Sequence, residues 1–514
     1  MSDLQIISPV TLENIYNYKE SSDEEIEEIF SKARKNAKII KNMTIKERLQ
    51  YIKPLTKIIV KNLDKILDRV IAETGKSRSD AIVGEIFTVL DTIEYLKKEA
   101  PKLLKHKKVK TPIAMMGKKS EIWYEPYGVS LIICPWNYPV NQFFVPVLQA
   151  FIAGNSVIYK PSEHTPLRGL FEDLLKQANI PEDFIQIIYG SGVTGAKLIE
   201  YKPNKIHFTG SGKTGRKIMA QASKYLIPVD LELGGKDPAI VFEDAELYKT
   251  VPGVIWGSLT NTGQSCTSVE RVYVQKAIFD KFVSQVEEEI QTLTLGTGED
   301  NDIGPMTPEF QIKIVENHVQ DAIEKGANVL TGGKRTDPSQ RYYLPTLLTN
   351  VNPDMKIITD ETFGPIVAIM PFETEEEVIQ KANDTNYGLS ATVWTKDLTR
   401  GKRIASRLEV GNVCINNVMT NEGNPYLPFG GYKESGFGRL KGEEGLIGFC
   451  NVKSVLIDKS NKKKEVNWYP YTERKYFLLR KFIKSMYTNN PFKLIFVLYN
   501  GFKLDRESQK KRSS

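Results

Sequence analysis

The chain has 514 residues, 41% of them hydrophobic and 26% charged, a composition typical of a globular protein with two or three subdomains. Its net charge of +7 is uneven, because residues 459–514 carry 15 Lys+Arg and 4 Asp+Glu, a net +11, which leaves −4 for residues 1–458. A mildly acidic body with a basic end argues against nucleic acid as a partner.

The cysteine pattern excludes two further classes. Four cysteines are widely separated without CxxC spacing, and only four histidines accompany them. A disulfide framework and a structural zinc site are therefore both disfavoured, and we expect no metal. Residues 1–20 contain neither an apolar signal segment nor an arginine-rich presequence, so a cytoplasmic location is expected.

Helices are predicted first along the chain. Apolar residues recur at three- and four-residue intervals over 24–35, 45–62 and 85–99. Short β-rich runs, each followed by a turn and a helical stretch, come next at 129–133, 156–159, 184–189 and 205–208. A second series follows residue 234, with strands predicted at 271–274 and 366–371 and helices at 277–293 and 308–325. This alternation predicts an α/β fold with parallel, doubly wound sheets.

A glycine-rich turn follows the fourth β-rich run. Gly210, Ser211 and Gly215 belong to a GxGxxG pattern placed before a predicted helix at 216–224, where glycines allow a pyrophosphate to approach a helix N-terminus. The pattern comes after several strands rather than in the first βα turn, so alone it leaves a phosphate-binding role open. A P-loop would need glycine at position 207, which is His207, so the pattern does not indicate an ATPase.

Asn137 stands in a turn between two prolines, Pro135 and Pro139. It either bonds its own backbone, as turn asparagines commonly do, or presents an amide donor to a developing oxyanion. The turn pattern does not decide between these two interpretations.

Cys266 lies in a polar, glycine-bearing loop, unlike Cys134, Cys414 and Cys450, which lie in apolar runs and are interpreted as core residues. A flexible loop and a following helix N-terminus would both favour the thiolate. Glu232, flanked by leucines, is predicted to be either exposed or a carboxylate in a pocket, where burial would raise its pKa toward neutral. The two glycines that follow it indicate that another group approaches the backbone there.

Seven motifs in this order resemble those of the NAD(P)-dependent aldehyde dehydrogenase superfamily, over roughly residues 9–458. They are Pro135-Trp136-Asn137, Lys160-Pro161-Ser162-Glu163, Phe208-Thr209-Gly210-Ser211, Glu232-Leu233-Gly234-Gly235-Lys236, Gly263-Gln264-Ser265-Cys266, Glu361-Thr362-Phe363-Gly364-Pro365 and Pro428-Phe429-Gly430-Gly431.

The resemblance implies roles for individual residues. Cys266 would be the nucleophile, Asn137 and the Cys266 backbone N–H would form an oxyanion hole, and Glu232 would activate the deacylating water. A cysteine nucleophile divides the oxidation into thioester formation and hydrolysis. The implied cofactor-binding residues are Trp136, Lys160, Glu163, Gly210, Ser211, Gly215, Gly234, Glu361 and Phe363.

The cofactor and product follow from two carboxylates. Glu163 can accept a hydrogen bond from a ribose 2′-OH but repels a 2′-phosphate, so we expect NAD rather than NADP. Glu232 favours hydrolysis to a free carboxylate over transfer to coenzyme A. The helical region begins near Asp23, so most of the N-terminal arm of longer members is absent and a homodimer is expected rather than a tetramer.

The basic tail departs from the family pattern. Over 471–487 a helical stripe is predicted to contain Tyr476, Leu479, Phe482, Ile483 and Met486, and an apolar run follows at 494–499. The run is too short to span a bilayer, but a basic, aromatic-rich amphipathic end can lie on an anionic lipid surface. Packing on the body or across a dimer is the alternative.

The expected architecture is an aldehyde dehydrogenase-like α/β fold. It comprises an NAD-binding domain (1–106 and 127–234), a catalytic domain (235–432), an oligomerisation element (107–126 and 439–458) and the basic amphipathic tail (459–514). The expected function is NAD-dependent oxidation of a long-chain or lipid-derived aldehyde, with peripheral membrane contact through the tail. The alternatives are a soluble short-chain semialdehyde dehydrogenase and an inactive membrane-associated scaffold.

Overall fold

The computed structural model describes residues 3–487, 489 and 491–510. The strands are β1 (Asp3–Ile7), β2 (Asn14–Lys19), β3 (Lys107–Val109), β4 (Lys118–Pro126), β5 (Val129–Ile133), β6 (Ser156–Lys160), β7 (Ile185–Ile187), β8 (Lys205–Thr209), β9 (Val229–Glu232), β10 (Asp237–Val241), β11 (Val269–Gln275), β12 (Asn328–Thr331), β13 (Thr346–Thr349), β14 (Ile366–Phe372), β15 (Ser390–Trp394), β16 (Asn412–Ile415), β17 (Gly436–Phe437) and β18 (Cys450–Asp458).

The α-helices are α1 (Asp23–Asn42), α2 (Ile45–Ile52), α3 (Leu55–Lys61), α4 (Leu63–Thr74), α5 (Arg78–Ala81), α6 (Thr88–Leu103), α7 (Pro139–Ile152), α8 (Leu170–Gln177), α9 (Gly192–Glu200), α10 (Gly212–Ser223), α11 (Leu247–Leu259), α12 (Phe279–Ile290), α13 (Glu309–Glu324), α14 (Lys356–Thr359), α15 (Glu375–Asn383), α16 (Leu398–Ala405), α17 (Thr420–Gly423), α18 (Gly442–Gly448), α19 (Glu473–Met486) and α20 (Lys493–Ser508). A π-helix, Ile82–Phe87, joins α5 to α6.

The described chain divides into two compact units. The larger comprises the residues up to Lys105 together with Tyr124–Lys453, and the smaller comprises His106–Trp123 and the residues from Ser454 onward. Both main sheets belong to the larger unit. The α/β class predicted from the alternating pattern is confirmed.

A six-stranded sheet has the order β17-β9-β8-β5-β6-β7, parallel except at β17. Successive residues of its strands face opposite sides, as the twofold period of a strand requires. Ile132 packs into a core shared with α2, α6 and α7, whereas Leu131 and Ile133 pack into a core shared with α1 and α9. The sheet is therefore covered on both faces, which explains why its strands are continuous apolar runs.

A seven-stranded sheet, β12-β13-β14-β11-β10-β15-β16, is likewise parallel except for its edge strand β12. Ile240 belongs to the core on one face, and Ala239 and Val241 belong to the core on the other. This second doubly wound sheet supplies the framework on which the loop of Cys266 is held.

The helical opening differs from its prediction in several places: α4 was not predicted, the helix predicted from residue 85 begins within a π-helix, and the helix predicted over 45–62 is divided. The single helix expected over 45–62 is two helices, α2 and α3, with Pro54 at the break. Proline lacks a backbone N–H and its ring clashes with the preceding turn, so one straight helix is not possible there. Apolar periodicity continues through the break because both helices bury the same side.

The smaller unit contains the tail. Strands β3, β4 and β18 form a three-stranded sheet in the order β18-β4-β3, and α19 packs against α20. Of the stripe predicted on the first tail helix, Tyr476 and Ile483 are exposed, whereas Phe482 lies against Gly501 of α20.

No helix among the described residues combines the length and the low charge content needed to cross a bilayer. Residues 511–514 of the predicted tail, and positions 488 and 490 within it, lie outside the described residues.

Candidate active site

The site lies at the carboxyl ends of the strands of the six-stranded sheet. Strand order reverses at β5, which has β6 on one side and β8 on the other, and ligands of open α/β sheets bind at such a switch point. A cavity of about 660 Å³ opens there. Of the predicted site residues, all but Gly215 line it: Trp136, Asn137, Lys160, Glu163, Gly210, Ser211, Glu232, Gly234, Cys266, Glu361 and Phe363.

Cys266 is carried on a buried loop between α11 and β11. Asn261 and Thr262 have φ of 52° and 59°, and the carboxylate of Asp80 holds this turn by accepting hydrogen bonds from the Thr260 hydroxyl at 2.7 Å and from the Asn261 N–H at 2.8 Å. The loop is therefore fixed rather than flexible, which corrects the sequence interpretation. The residue types of this loop indicated a reactive cysteine, but the positive φ angles of Asn261 and Thr262 could not be predicted from the sequence.

The surroundings of the thiol also differ from expectation. No helix begins after Cys266, since β11 starts at Val269, so no helix dipole favours the thiolate. Burial raises the pKa of Cys266 well above its ordinary value, and Glu422 and Glu361 raise it further. A nearby positive charge would therefore favour the thiolate of Cys266.

Glu232 ends β9 and is 3% exposed, and neither of its carboxylate oxygens has a hydrogen-bond partner among the described residues. Burial raises its pKa well above the ordinary value, while Arg439 acts in the opposite direction. Of the two alternatives left open by the sequence, the structure shows the pocket carboxylate. A carboxylate with free lone pairs in a cavity is suited to accept a proton from water.

Asn137 is held from both of its ends. Its backbone carbonyl accepts hydrogen bonds from the Lys76 ammonium at 2.7 Å and the Asn261 amide at 3.1 Å, and its own Nδ2 donates to the Gln264 carbonyl at 2.9 Å. Lys76 in turn pairs with buried Glu85 at 2.8 Å. This network, which the sequence did not reveal, places the Asn137 amide beside the loop of Cys266.

Gly234 and Gly235 allow the close approach that the sequence predicted. A Cβ on Gly234 would lie 2.2 Å from a carboxylate oxygen of Glu361, and one on Gly235 would lie 2.5 Å from the backbone carbonyl of Cys266. Glu361 accepts a hydrogen bond from the Gly235 N–H at 3.1 Å. Burial raises the pKa of Glu361 to about 8. The glycine pair thus brings three predicted site residues together.

A lysine, a glutamate and a helix N-terminus, the groups suited to bind a dinucleotide, also line this cavity. The Lys160 ammonium, at the end of β6, is 3.7 Å from the Glu163 carboxylate and donates to the Pro161 carbonyl at 3.0 Å. Ser211 caps α10, accepting a hydrogen bond from the Thr214 N–H at 3.4 Å. The N-terminus of α10 consequently faces the cavity, where its free N–H groups favour an anion.

Gly215 does not line this cavity, contrary to its assignment as a cofactor contact. A Cβ there would lie 2.8 Å from the Leu233 side chain, so the glycine allows α10 to pack closely on the loop after β9. Its position in the GxGxxG pattern reflects helix packing.

Aromatic residues close the remaining side. Phe363, with φ of 54°, meets the Trp136 ring edge-on at 5.5 Å between centroids. The N–H groups of Thr362 and Phe363 donate to the Glu270 carboxylate, which pairs with buried Lys236. These last two residues hold the 361–363 segment in place and were not singled out from the sequence.

A second cavity, of about 340 Å³, lies beside the first and shares Gln142 with it. Val83 and Phe87 of the π-helix line it together with Trp256 and Met419, and Tyr138 and Glu422 are also part of its lining. Glu422 accepts a hydrogen bond from the hydroxyl of Thr267, next to Cys266, at 2.7 Å. Two cavities of different chemistry therefore adjoin the Cys266 loop.

Comparison with known proteins agrees with this geometry. The model of the aldehyde dehydrogenase family matches residues 1–455. The chain is 39% identical to a 4,4'-diapolycopene aldehyde oxidase of Methylomonas sp. over 95% of this chain and 92% of that protein. It is 36% identical to a provisionally named succinate-semialdehyde dehydrogenase (NADP(+)) of Mycolicibacterium smegmatis, over 85% of each.

Solved structures show the same similarity. A betaine aldehyde dehydrogenase from Staphylococcus aureus in complex with NAD+ has a TM-score of 0.85 and 30% identity, over 91% of this chain and 94% of that one. An NADP dependent enzyme from E. coli has a TM-score of 0.84 and 30% identity, over 89% and 95%. This chain belongs to the aldehyde dehydrogenase family and is an oxidoreductase that acts on aldehydes.

Proposed function

We propose that the protein oxidises an aldehyde to a carboxylate through a thioester on Cys266, with NAD as the hydride acceptor. The observation that carries the proposal is that Cys266, Glu232 and Asn137 line the same cavity as Lys160, Glu163 and the N-terminus of α10. A nucleophile, a base and an amide donor are thereby placed beside a site suited to a dinucleotide.

The cavity fits such a cofactor. A Cβ on Gly210, which has φ of 159°, would lie 2.5 Å from the Phe208 ring. Because glycine has no side chain, the turn before α10 leaves room for a pyrophosphate to approach the helix N-terminus. Lys160 and Glu163 would hold the adenosine ribose, and Glu361 the other ribose. When bound, NAD accepts the hydride.

The residues of the chain perform the remaining steps. The Cys266 thiolate adds to the aldehyde carbon, and the new oxyanion is stabilised by the Asn137 amide and the Cys266 N–H. After hydride loss, a thioester remains on Cys266. Glu232 then takes a proton from water as the water oxygen attacks the thioester carbonyl, and the thiolate leaves as the carboxylate product forms.

Glu163 supports NAD over NADP. Its carboxylate lies 3.7 Å from the Lys160 ammonium on the cavity wall, where it can accept a hydrogen bond from a ribose 2′-OH and would repel a 2′-phosphate. Some relatives of this chain are named for NADP, so the cofactor preference needs a direct measurement. The experiment compares initial rates with NAD and with NADP at matched concentrations.

The second cavity supports an apolar, long-chain aldehyde. Val83, Phe87, Trp256 and Met419 contribute apolar surface, and no Lys or Arg is found among the described residues that line it. Its acidic residues, Asp91 and Glu422, would repel the carboxylate of a semialdehyde. The short-chain semialdehyde alternative is therefore disfavoured by charge.

The experiment for this function is NADH production at 340 nm across a chain-length series of n-alkanals and with succinate semialdehyde, for wild type and Cys266→Ala. We expect kcat/KM to rise with chain length and Cys266→Ala to give no steady-state NADH. Equal activity of Cys266→Ala and wild type would contradict the thioester route. No Cys266-dependent NADH with any aldehyde would favour the inactive scaffold.

We further propose that the tail lies on an anionic membrane surface. On α19 and α20 large apolar residues are exposed, including Tyr476, Phe477, Ile495, Tyr499 and Phe502. Lys481 lies over the Phe477 ring at 4.5 Å and Lys503 over the Tyr499 ring at 4.2 Å. Aromatic rings paired with cations suit the boundary between acyl chains and anionic headgroups.

Vesicle flotation tests this surface. Wild type is expected to float with phosphatidylserine-containing vesicles and to remain behind with neutral ones. Ile495→Ser combined with Phe502→Ser should reduce recovery, whereas Leu226→Ser, which removes another exposed leucine, should not. Equal recovery of wild type and the double variant would remove the tail from membrane binding.

We also propose a homodimer. Strand β18 is an edge strand of the three-stranded sheet and exposes Val452 and Leu456, an unpaired edge that a second copy can extend. Light scattering coupled to size-exclusion chromatography tests the mass directly, with about 116 kDa (twice the 58.2 kDa chain) expected.

A further inference from the structure

Lys441 has an unusual backbone for a lysine. It directly precedes α18, with φ of 61° and ψ of 177°. This region is populated almost entirely by glycine, because a Cβ there is crowded by the backbone. A lysine kept at such a position indicates that its side chain does something that glycine cannot do.

The neighbouring backbone fixes this conformation. Leu440 and Phe429 exchange two backbone hydrogen bonds of 2.7 Å, and the N–H of Gly442 donates to the Pro425 carbonyl at 3.0 Å. The N–H of Lys441 itself donates to Gln149 Oε1 at 3.4 Å. The lysine side chain is thereby directed inward, where it is only 3% exposed.

The ammonium of Lys441 lies against Glu422, one of the residues that line the second cavity. It donates a hydrogen bond to the backbone carbonyl of Glu422 and lies 5.6 Å from the centroid of the Phe429 ring. Burial lowers the pKa of Lys441, whereas the negative charges of Glu422, Cys266 and Glu232 favour its ammonium form and act in the opposite direction. Glu422 is bonded in turn to Thr267, the residue after Cys266, so Lys441 and the nucleophile loop meet at one shared residue.

Acidic residues predominate around the thiol. Glu422, Glu361, Asp237 and Glu232 all act against ionisation of Cys266. Around Glu232, Asp230 and Glu422 are acidic, and Arg439 and Lys441 are the opposing cations. The Arg439 guanidinium donates to the carbonyls of Gly431 and Gly438, whereas Lys441 interacts with both Cys266 and Glu232.

We propose that Lys441 is a positioning residue that supplies the buried positive charge against which the Cys266 thiolate and the Glu232 carboxylate form. When the thiol proton leaves for water, the remaining thiolate is attracted to the ammonium, which offsets part of the repulsion from the four carboxylates. The inference rests on the proposed function, in which Cys266 is the nucleophile.

The test measures the thiol itself. The rate at which iodoacetamide alkylates the Cys266 peptide is followed by mass spectrometry from about pH 6 to about pH 10, because only the thiolate reacts. The variants are Lys441→Met, which removes the charge, Lys441→Gly, which also relieves the backbone, and Lys441→Arg, which keeps the charge. Lys433→Met is the matched control, since Lys433 also has a positive φ, of 51°, but its ammonium pairs with Glu409 at 2.6 Å.

We expect the alkylation midpoint to move to higher pH by about one unit in Lys441→Met and Lys441→Gly. Lys441→Arg and Lys433→Met should keep the wild-type midpoint. In the same two neutral variants kcat near neutral pH should fall with little change in the aldehyde KM. Lys441→Gly is expected to fold even if the methionine variant does not, because glycine tolerates the conformation.

An unchanged midpoint in a folded Lys441→Gly or Lys441→Met variant would overturn the proposal. A rise in KM for succinate semialdehyde without a shifted midpoint would also overturn it, and would instead make Lys441 a substrate-carboxylate contact. Failure of the proposed function is separately visible in the NADH assay, either as activity that Cys266→Ala retains or as no NADH from the wild type, whatever the alkylation profiles show.

Discussion

The two cavities that adjoin the Cys266 loop are built in different ways. The larger is formed mostly by loops that follow β-strands, with polar groups and exposed backbone such as the turn at Gly210. The smaller is formed by side chains of helices, including Phe87 on the π-helix and Trp256 on α11. Strand ends keep backbone positions fixed, whereas helix surfaces offer exchangeable side chains, and the proposed function assigns cofactor binding to the first cavity and substrate selection to the second.

The largest expected effect on turnover concerns Glu232, which lines the larger, more polar cavity. Glu232→Gln cannot accept the proton of the attacking water, so steady-state turnover should fall by about 10²–10⁴-fold. A single-turnover burst of NADH should persist because thioester formation does not need this carboxylate. Rapid-mixing absorbance measures both phases. Normal steady-state turnover in this variant would remove Glu232 from the mechanism.

Asn137→Ala tests the oxyanion contact on the same side. Removal of one preorganised donor should lower kcat by about 10²–10³-fold, with a smaller change in aldehyde KM. Asn328→Ala, a substitution at an exposed position on β12, is the control. If Asn137→Ala changed only the thermal unfolding temperature and left kcat intact, the residue would be structural.

Phe87→Ala tests the role of the smaller, more apolar cavity, which Phe87 lines. Loss of the ring should reduce kcat/KM for long alkanals by about 10-fold or more and leave acetaldehyde nearly unaffected, because only long chains reach the mouth of the cavity. Steady-state kinetics across the chain-length series provides the measurement. A uniform loss for all aldehydes would mean that this cavity does not select chain length.

The pH dependence sharpens the comparison further. Burial raises the pKa of Glu232, and a base must be ionised, so the hydrolytic step should slow as pH falls through that raised pKa and reach a plateau above it. The burst phase should not follow this titration. The test is to measure burst and steady-state rates separately across pH, and identical profiles for both would contradict the assignment.

The smallest effect is expected at Glu163. Glu163→Gln removes the repulsion of a 2′-phosphate, so the ratio of NAD to NADP use should fall several-fold while aldehyde selectivity stays unchanged. Initial rates with both cofactors give this ratio. An unaltered ratio would mean that cofactor choice is set by another residue on the cavity wall.

The polar side could be predicted from the sequence in most respects. Strand periodicity located β5, β6 and β8, and the motifs that end these strands named residues that the structure brings to one cavity. The exceptions have physical causes. Gly215 serves packing on Leu233, a distinction that a glycine pattern cannot make, and the fixed loop of Cys266 depends on Asp80, far away in the chain.

The smaller, more apolar cavity was not predicted from the sequence. Val83, Trp256 and Met419 come from distant parts of the chain and show no common motif, and their meeting depends on how helices pack on two sheets. The role proposed for Lys441 could not be predicted for another reason, because residue type does not indicate that a lysine has a positive φ.

By itself the sequence determined the class of fold, the positions of several strands such as β5, β6 and β8, and the motifs that contain Cys266, Glu232 and Asn137, because these depend on local periodicity and on short motifs. Only the tertiary structure decided which charges surround the thiol, that Glu232 is buried without a hydrogen-bond partner among the described residues, and that Lys441 contacts Glu422. Those properties depend on burial and on contacts between segments distant in the chain, where electrostatic energies are largest and the local sequence carries least information.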